Sequence, residues 1–189
     1  MTQTRTLYLI ACAAPPARRL TIPIRAAQRD GWDVCLILTP DAYRWAAEDA
    51  EGNLNELREL TGHPVRHTYK LPSEPDVLPA PDAVLVAPLT SNSLHKWAAG
   101  ISDTLALGLI TEAIGLRLPI VALPHWNDAQ HQHPAMARHV AALREAGVTV
   151  LLDDGHGEGG FTPHPPRHGD LNAYPWEQAL ACLPAVPAS

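Results

Sequence analysis

The stretch A-V-L-V-A-P-L-T-S-N-S-L-H-K-W-A-A-G-I-S-D, residues 83–103, decides the predicted fold. Its first five residues form a continuous apolar run, which is typical of a strand buried on both faces of a parallel sheet. Pro88 is predicted to end this strand, because proline cannot donate a ladder hydrogen bond. Helical spacing resumes at Leu94, after four short polar residues: Thr90, Ser91, Asn92 and Ser93.

This polar loop predicts a ligand site. Hydroxyl and amide groups between the carboxyl end of a strand and the start of a helix suit a polar or anionic ligand, because free N–H groups and the positive end of the helix dipole point there. The alternative is a serine or threonine helix cap without any ligand.

The same alternation of strand and helix extends through most of the chain. Apolar runs predict strands at 7–11, 33–38, 119–123 and 148–152, with a further short strand at 67–70. Helical segments separate them, so we expect an α/β fold: a doubly wound parallel sheet, Rossmann-like, in three α/β/α layers. The loops after Ala11, Leu38, Ala87 and Leu123 leave strands at one edge of this sheet, where ligands of such folds bind.

Composition narrows the function classes. The chain has 189 residues, 46% hydrophobic content and a net charge of −6. No basic cluster is present, which argues against a nucleic-acid partner. No apolar run approaches the length of a membrane span, and no signal-peptide pattern precedes the first strand, so a cytoplasmic location is expected. The three cysteines, Cys12, Cys35 and Cys182, show no metal-ligand spacing.

Two sequence blocks resemble one family. Residues 88–93, followed by Lys96, Ala98, Gly100 and Asp103, resemble the P-x-[ST]-A-N-[ST]-x-x-K-x-A-x-G-x-x-D signature of the homo-oligomeric flavin-containing cysteine decarboxylases. The second block, L-P-H-W-N-D-A-Q-H-Q-H-P-A at 123–135, is similar to the family's P-A-M-N-x-x-M-W-x-x-P. The matching positions are Pro124, Asn127 and Pro134.

The resemblance implies FMN as the cofactor. The family places a Gly-Ser pair near the phosphate, where this chain has two alanines, so only backbone N–H groups remain there. A dinucleotide of the usual Rossmann type is not expected, since no G-x-G-x-x-G occurs. The residues that the resemblance assigns to the cofactor are Ala13, Ala14, Thr39, Thr90, Ser91, Asn92, Ser93 and His125.

The resemblance also implies catalytic and substrate-binding residues. The position of the family's catalytic histidine holds Glu74, which is a candidate base or an ordinary exposed loop carboxylate. Asn127 is expected to bind the substrate carboxylate, or to stabilise its own turn. Trp126 is a candidate pocket wall, or interface packing, and His168 falls where a family flap carries a reducing cysteine. Without that cysteine, reduction to a saturated product is not expected.

We therefore expect residues 1–152 to form a flavin-binding α/β domain. Residues 153–189 add a flap rich in glycine, proline and histidine and a final helix, both in the same domain. The flap is interpreted either as a lid over the substrate or as a disordered surface loop. No metal site is expected, because His125, His131 and His133 lack a recognisable ligand spacing.

The expected function is oxidative decarboxylation of a cysteine-bearing peptide or conjugate, as in natural-product maturation, by a homo-oligomer that is either a trimer or a dodecamer. The alternatives are a flavin prenyltransferase-like enzyme and a flavin-binding or redox subunit without decarboxylase activity. Arg44 and Lys96 are the only basic residues that support the prenyltransferase alternative, and the absence of the family histidine favours the non-catalytic one.

Overall fold

Five parallel strands form the central sheet in the computed structural model, which describes residues 5–155, 159–167 and 169–186. The sheet order is β2-β1-β3-β4-β5, and every neighbouring pair is parallel. This order confirms the predicted doubly wound sheet. The strands are β1 (Thr6–Ala11), β2 (Asp33–Leu38), β3 (Ala83–Leu89), β4 (Ile120–Pro124) and β5 (Val148–Val150).

Helices cover both faces of the sheet. Helix α1 contacts α3 and α8, while α4 contacts α5 and α7. Because β1 to β2 and β3 to β4 run in opposite directions across the sheet, right-handed crossovers place α1 and α4 on opposite faces. The helices are α1 (Thr21–Arg29), α2 (Pro40–Glu48), α3 (Leu54–Thr61), α4 (Ser91–Ala98), α5 (Leu105–Gly115), α6 (Asp128–His131), α7 (Met136–Glu145) and α8 (Trp176–Ala181), with 3-10 turns at Pro15–Arg19 and Leu171–Ala173.

The two central strands explain why the apolar runs lack alternation. Every residue of β1 and of β3 is buried, because each strand has a neighbour on both edges and helices on both faces. Each fully buried aliphatic side chain, such as Leu7 or Leu85, contributes roughly 1.5–3 kcal/mol to folding. No helix among the described residues is long and apolar enough to cross a membrane.

The prediction that β3 ends at Pro88 is wrong. The strand continues to Leu89 and pairs there with Pro124, across a register irregularity that begins after Val86. A bulge of this kind accommodates proline, because the residue inside it is not required to donate to the ladder. The strand therefore delivers the polar loop one residue further along the sheet edge than the sequence indicated.

The predicted strand at 67–70 is also wrong. A single bridge joins Arg66 to Ile37, with hydrogen bonds from the Leu38 amide to the Arg66 carbonyl (2.8 Å) and from the Arg66 amide to the Leu36 carbonyl (3.2 Å). Residues 67–70 then leave the sheet, and the Tyr69 side chain is 57% exposed. An exposed segment has no second face to bury, so the apparent strand pattern is not realised.

The described part of the flap is bonded to the sheet. Phe161 donates its amide to the Leu151 carbonyl and accepts from the Asp153 amide, both at 3.0 Å. Gly160 permits this approach with a φ of 127°, since a Cβ there would collide with the Leu151 carbonyl. Of the two expectations for this segment, the described residues therefore do not support a disordered loop.

Candidate functional site

Three main-chain hydrogen bonds join the carboxyl ends of four strands. The Thr39 amide donates to Ala11 (3.0 Å), which links the end of β2 to that of β1. The Cys12 amide donates to the Pro88 carbonyl (2.9 Å), and the His125 amide donates to the Leu89 carbonyl (2.9 Å). The loops after β1, β2, β3 and β4 consequently form one continuous rim, at the point between β1 and β3 where the strand order reverses.

A cleft of about 750 Å³ opens at this rim. All eight residues that the sequence assigned to a cofactor line it, and so do Trp126 and Asn127. The sequence did not single out several further lining residues, among them Cys12, Gln130, His164, Arg167 and Gly169.

The polar loop opens helix α4 toward the cleft. The Thr90 hydroxyl accepts a hydrogen bond from the Ser93 amide (3.3 Å) and donates to the Ser93 hydroxyl (3.1 Å), so Thr90 is the N-cap. The backbone amides of Ser91 and Asn92 lie in the first turn of α4, where a helix provides no carbonyl to accept their hydrogen bonds. The Thr90 cap therefore does not exclude the ligand site that the sequence offered as its alternative, because the cap uses one first-turn amide and leaves the others available.

Cys12 forms part of the cleft wall at the end of β1. Its side chain is almost fully buried, and burial raises the pKa of the thiol above its ordinary value, against smaller opposing effects of hydrogen bonds with Ser93 and Thr90. The thiol is therefore neutral at physiological pH and contributes an uncharged surface beside the hydroxyls of α4.

Asn127 uses one end of its amide to cap α6. Its Oδ1 accepts from the Gln130 amide (2.9 Å), while the Gln130 side chain accepts from the Asn127 amide (3.1 Å), which completes a capping box. The side-chain Nδ2 makes no hydrogen bond within the described residues, so its two N–H donors remain available at the cleft.

Trp126 is a rigid part of the cleft wall. Only 2% of its surface is exposed, and its indole N–H donates to Nδ1 of His131 (3.3 Å). The ring meets Phe161 of the flap edge to face, with centroids 6.3 Å apart. Because the hydrogen bond to His131 and the ring contact with Phe161 both fix the position of the indole, this part of the cleft wall has a defined shape.

His125 lies at the centre of an aromatic cluster that joins β4 to the flap. Its ring centroid is 5.0 Å from that of His164, 5.3 Å from Phe161 and 5.7 Å from Tyr174. Burial, and secondarily the neighbouring His164, lower the pKa of His125 to about 4. His125 therefore stays neutral at physiological pH, and its backbone N–H is engaged by Leu89.

The structure does not bring Glu74 to the cleft of its own chain. The Glu74 carboxylate accepts from the Leu71 amide (2.8 Å), and its backbone carbonyl accepts from Lys70 (2.8 Å), so it stabilises an exposed turn. The sequence offered this ordinary loop role as the alternative to catalysis. His168, which the resemblance assigned to the substrate, lies outside the described residues.

The three histidines weighed as metal ligands have separate partners. His131 bonds to Trp126, and Nδ1 of His133 accepts from the Ala135 amide. In the part of the chain that the structure describes, one group of three potential ligands lies close together, with all ligand atoms within 4.8 Å. It consists of Asp33, Cys35 and His63, at the amino-terminal half of β2 and away from the cleft.

Comparison with known proteins places this chain in a family. Residues 5–181 match the family model described as Flavoprotein. The phosphopantothenoylcysteine decarboxylase of Mus musculus is 34% identical over 119 residues, which cover 63% of this chain and 50% of that protein. The chain therefore spans about half the length of this curated relative.

Two solved structures share the fold over most of the chain. The FMN-dependent cysteine decarboxylase TvaF from thioviridamide biosynthesis has a TM-score of 0.62 and 26% identity, over 78% of this chain and 90% of that one. The cypemycin decarboxylase CypD has a TM-score of 0.67 and 17% identity, over 96% and 92% of the two chains. The chain belongs to the Flavoprotein family, as the resemblance of its two sequence blocks implied.

Proposed function

We propose that this protein binds FMN and catalyses the oxidative decarboxylation of a cysteine-bearing peptide or conjugate. The observation that carries the proposal is the cleft between β1 and β3, at which the polar loop and the N-terminus of α4 meet the Asn127 loop. Both TvaF and mouse phosphopantothenoylcysteine decarboxylase are named for decarboxylation of a cysteine or of its conjugate, which supports the same reaction class here.

The residues of the cleft fit FMN. The free amides at the start of α4, with the hydroxyls of Thr90 and Ser93, offer donors to the phosphate and to the polar edge of the ring. The thiol of Cys12 and the ring of Trp126 supply neutral, apolar surface. The loop at Ala13 and Ala14 contributes backbone alone. When bound, FMN supplies an acceptor for the hydride removed from the thiol-bearing carbon.

The substrate side of the cleft is assigned to Asn127. Its free Nδ2 donates to the substrate carboxylate, while the capping box holds the amide in a fixed orientation. Loss of carbon dioxide breaks the bond between the carboxylate carbon and Cα, and the released electron pair forms the double bond of an enethiolate. Trp126, held by its contacts with His131 and Phe161, gives this part of the cleft a fixed apolar wall.

The proposal includes a homo-oligomer, either a trimer or a dodecamer. Several large apolar side chains are exposed, including Tyr69 (57%), Leu71 (64%) and Leu116 (61%). Tyr69 and Leu116 border a second cavity of about 590 Å³ against α5. An apolar cavity that is open to solvent and bordered by exposed large side chains is a candidate subunit interface. Light scattering of the purified protein measures the mass directly, and a monomer would contradict this part of the proposal.

The first experiment is the visible absorbance spectrum of the purified protein, with mass analysis of the released chromophore. A yellow protein that releases FMN is expected, and incubation with a cysteine-terminated peptide should remove the mass of carbon dioxide and two hydrogen atoms. A prenylated flavin would instead support a prenyltransferase. A flavin-bound protein that leaves all such peptides unchanged would support a non-catalytic subunit.

Two matched serine variants test the cofactor site. Ser93 and Ser102 each form a hydroxyl–hydroxyl hydrogen bond of 3.1 Å with a threonine, but only Ser93 lines the cleft. We expect Ser93→Ala to weaken FMN binding about tenfold, the equivalent of one hydrogen bond, and Ser102→Ala to leave it unchanged. Equal affinities in the two variants would place the cofactor elsewhere.

A further inference from the structure

We propose that His164 is the proton acceptor of this site, and that its Nε2 takes the proton from the thiol of the bound substrate. This inference rests on the proposed function and extends it to a residue for which neither sequence block provides a counterpart. His164 lies in the flap, within the sequence T-P-H-P-P, and lines the cleft together with Asn127.

The hydrogen bond at the other ring nitrogen determines the tautomer. Nδ1 of His164 lies 2.9 Å from the carbonyl oxygen of Pro165. A carbonyl oxygen can only accept, so the hydrogen bond requires the proton of the neutral ring to be on Nδ1. The lone pair is then on Nε2, which makes this nitrogen the basic one.

Nε2 is buried and has no hydrogen-bond partner among the residues that the structure describes. A buried acceptor left in this state is unfavourable by about 1–3 kcal/mol, so such groups are satisfied by water or by a ligand. Gly169 also lines the cleft, and a Cβ at that position would lie 3.2 Å from Nε2 and 3.3 Å from Cε1 of His164. The absence of a side chain at Gly169 leaves this edge of the ring free of a methyl contact.

The main chain holds His164 next to the proposed carboxylate-binding residue. Asn127 and His164 form a parallel bridge, and the Asp128 amide donates to the His164 carbonyl at 2.9 Å. A cysteine carries its carboxylate and its thiol only two carbon atoms apart. A residue whose carboxylate is bound at Asn127 therefore presents its sulfur within a short distance of the neighbouring segment.

The titratable groups that surround His164 are poor proton acceptors, so His164 is the available base. His125, whose ring faces that of His164, has a pKa of about 4 because of its burial. Burial raises the pKa of Tyr174, which contacts His125, well above its ordinary value. Asp128 and Arg167 are the nearest charged residues along the paired segments, and both are exposed. Between pH 5 and 8 neither His125 nor Tyr174 changes its charge.

The proposed step balances as a single proton transfer. The S–H bond of the substrate breaks, an Nε2–H bond forms on His164, and the sulfur keeps the electron pair as a thiolate. After carbon dioxide has left, the His164 imidazolium returns the proton to the sulfur of the enethiolate product. His164 is therefore neutral again at the end of each turnover.

The test separates the two ring nitrogens by substitution. His164→Asn keeps an N–H donor near the position of Nδ1, and so can preserve the bond to Pro165, but removes Nε2. The matched control is His133→Asn, since Nδ1 of His133 also bonds to nearby backbone and His133 does not line the cleft. We expect His164→Asn to lower kcat at least about 10²-fold with KM within threefold, and His133→Asn to stay within twofold.

Imidazole ¹⁵N resonances of the flavin-loaded protein give a readout that does not depend on turnover. The resonance pair that disappears in His164→Asn should show a protonated Nδ1 and a bare Nε2. The opposite tautomer overturns the proposal. Gly169→Ala keeps the histidine and places a methyl group against Nε2, so activity should fall while this tautomer persists.

The outcomes distinguish this inference from the proposed function. If the wild-type protein and His164→Asn decarboxylate the peptide equally well, His164 is not the base and the proposed function stands. If the wild-type protein leaves the peptide unmodified, the proposed function is wrong and the catalytic role of His164 falls with it. If His164→Asn does not fold, full activity of Gly169→Ala overturns the proposal on its own.

Discussion

Replacing Asn127 by aspartate should separate the two roles of this side chain. Aspartate keeps the oxygen that caps α6, and the two residues are about equally good N-caps, so unfolding free energy should change by less than about 0.5 kcal/mol. The substrate carboxylate, in contrast, loses an amide donor and meets a like charge. Hydrogen bonds to charged groups contribute about 1.5–3 kcal/mol, so binding should weaken roughly 10- to 150-fold, and repulsion adds to this.

The assay uses a peptide that ends in serine, which binds without reacting. Calorimetry should show the loss of affinity for the free carboxylate but not for the same peptide with an amidated C-terminus. Asn127→Ala is the comparison that loses both functions, with about 1 kcal/mol of stability removed as well. An unchanged affinity of Asn127→Asp for the carboxylate peptide would refute the assignment, and the capping role alone would remain.

Three further predictions concern the cofactor loop, the exposed turn and the buried histidine. Ala14→Ser adds a hydroxyl where Ala14 precedes a 3-10 turn without a side-chain cap, and should tighten FMN binding up to about tenfold; no gain would mean that the phosphate lies elsewhere. Glu74→Gln should leave kcat within twofold. The pKa of His125 is about 4 in the folded protein rather than 6.5, so on acidification the unfolded state binds a proton that the folded state does not. The free energy of unfolding should therefore fall by roughly 1–3 kcal/mol from pH 7 to pH 4. Urea titrations at the two pH values measure this fall, and His125→Asn should remove it.

Much of the fold can be predicted from the hydrophobic runs and from the residues that end them. The non-alternating residues of β1 and β3 predict central strands, because only strands covered on both faces exclude polar positions altogether. The convergence of the loops after Ala11, Leu38 and Leu123 then follows from parallel topology. These local patterns predicted which loops converge at the cleft, whereas the resemblance to the family assigned the individual residues within them.

The errors occur where long-range contacts override the local pattern. Pro88 stays in the sheet because its carbonyl accepts from Cys12, a residue 76 positions earlier in the numbering. His164 was not identified because its proximity to Asn127 depends on a bridge across the flap, and the surrounding prolines and glycines have no periodicity to predict it. For Glu74, alignment indicated a family position but could not show that a local turn uses the carboxylate.

The buried hydroxyl of Tyr174 has a consequence for how this architecture can diversify. It donates to the Leu123 carbonyl at 2.8 Å and so returns the chain to the end of β4, while Phe161 fastens the other side of the flap to Leu151. With both attachments made to the sheet, the intervening residues can change in length at little thermodynamic cost, since doubling a loop costs only about 0.6 kcal/mol. Selection can therefore exchange the surface that meets a new substrate while the cofactor-bearing scaffold stays as it is.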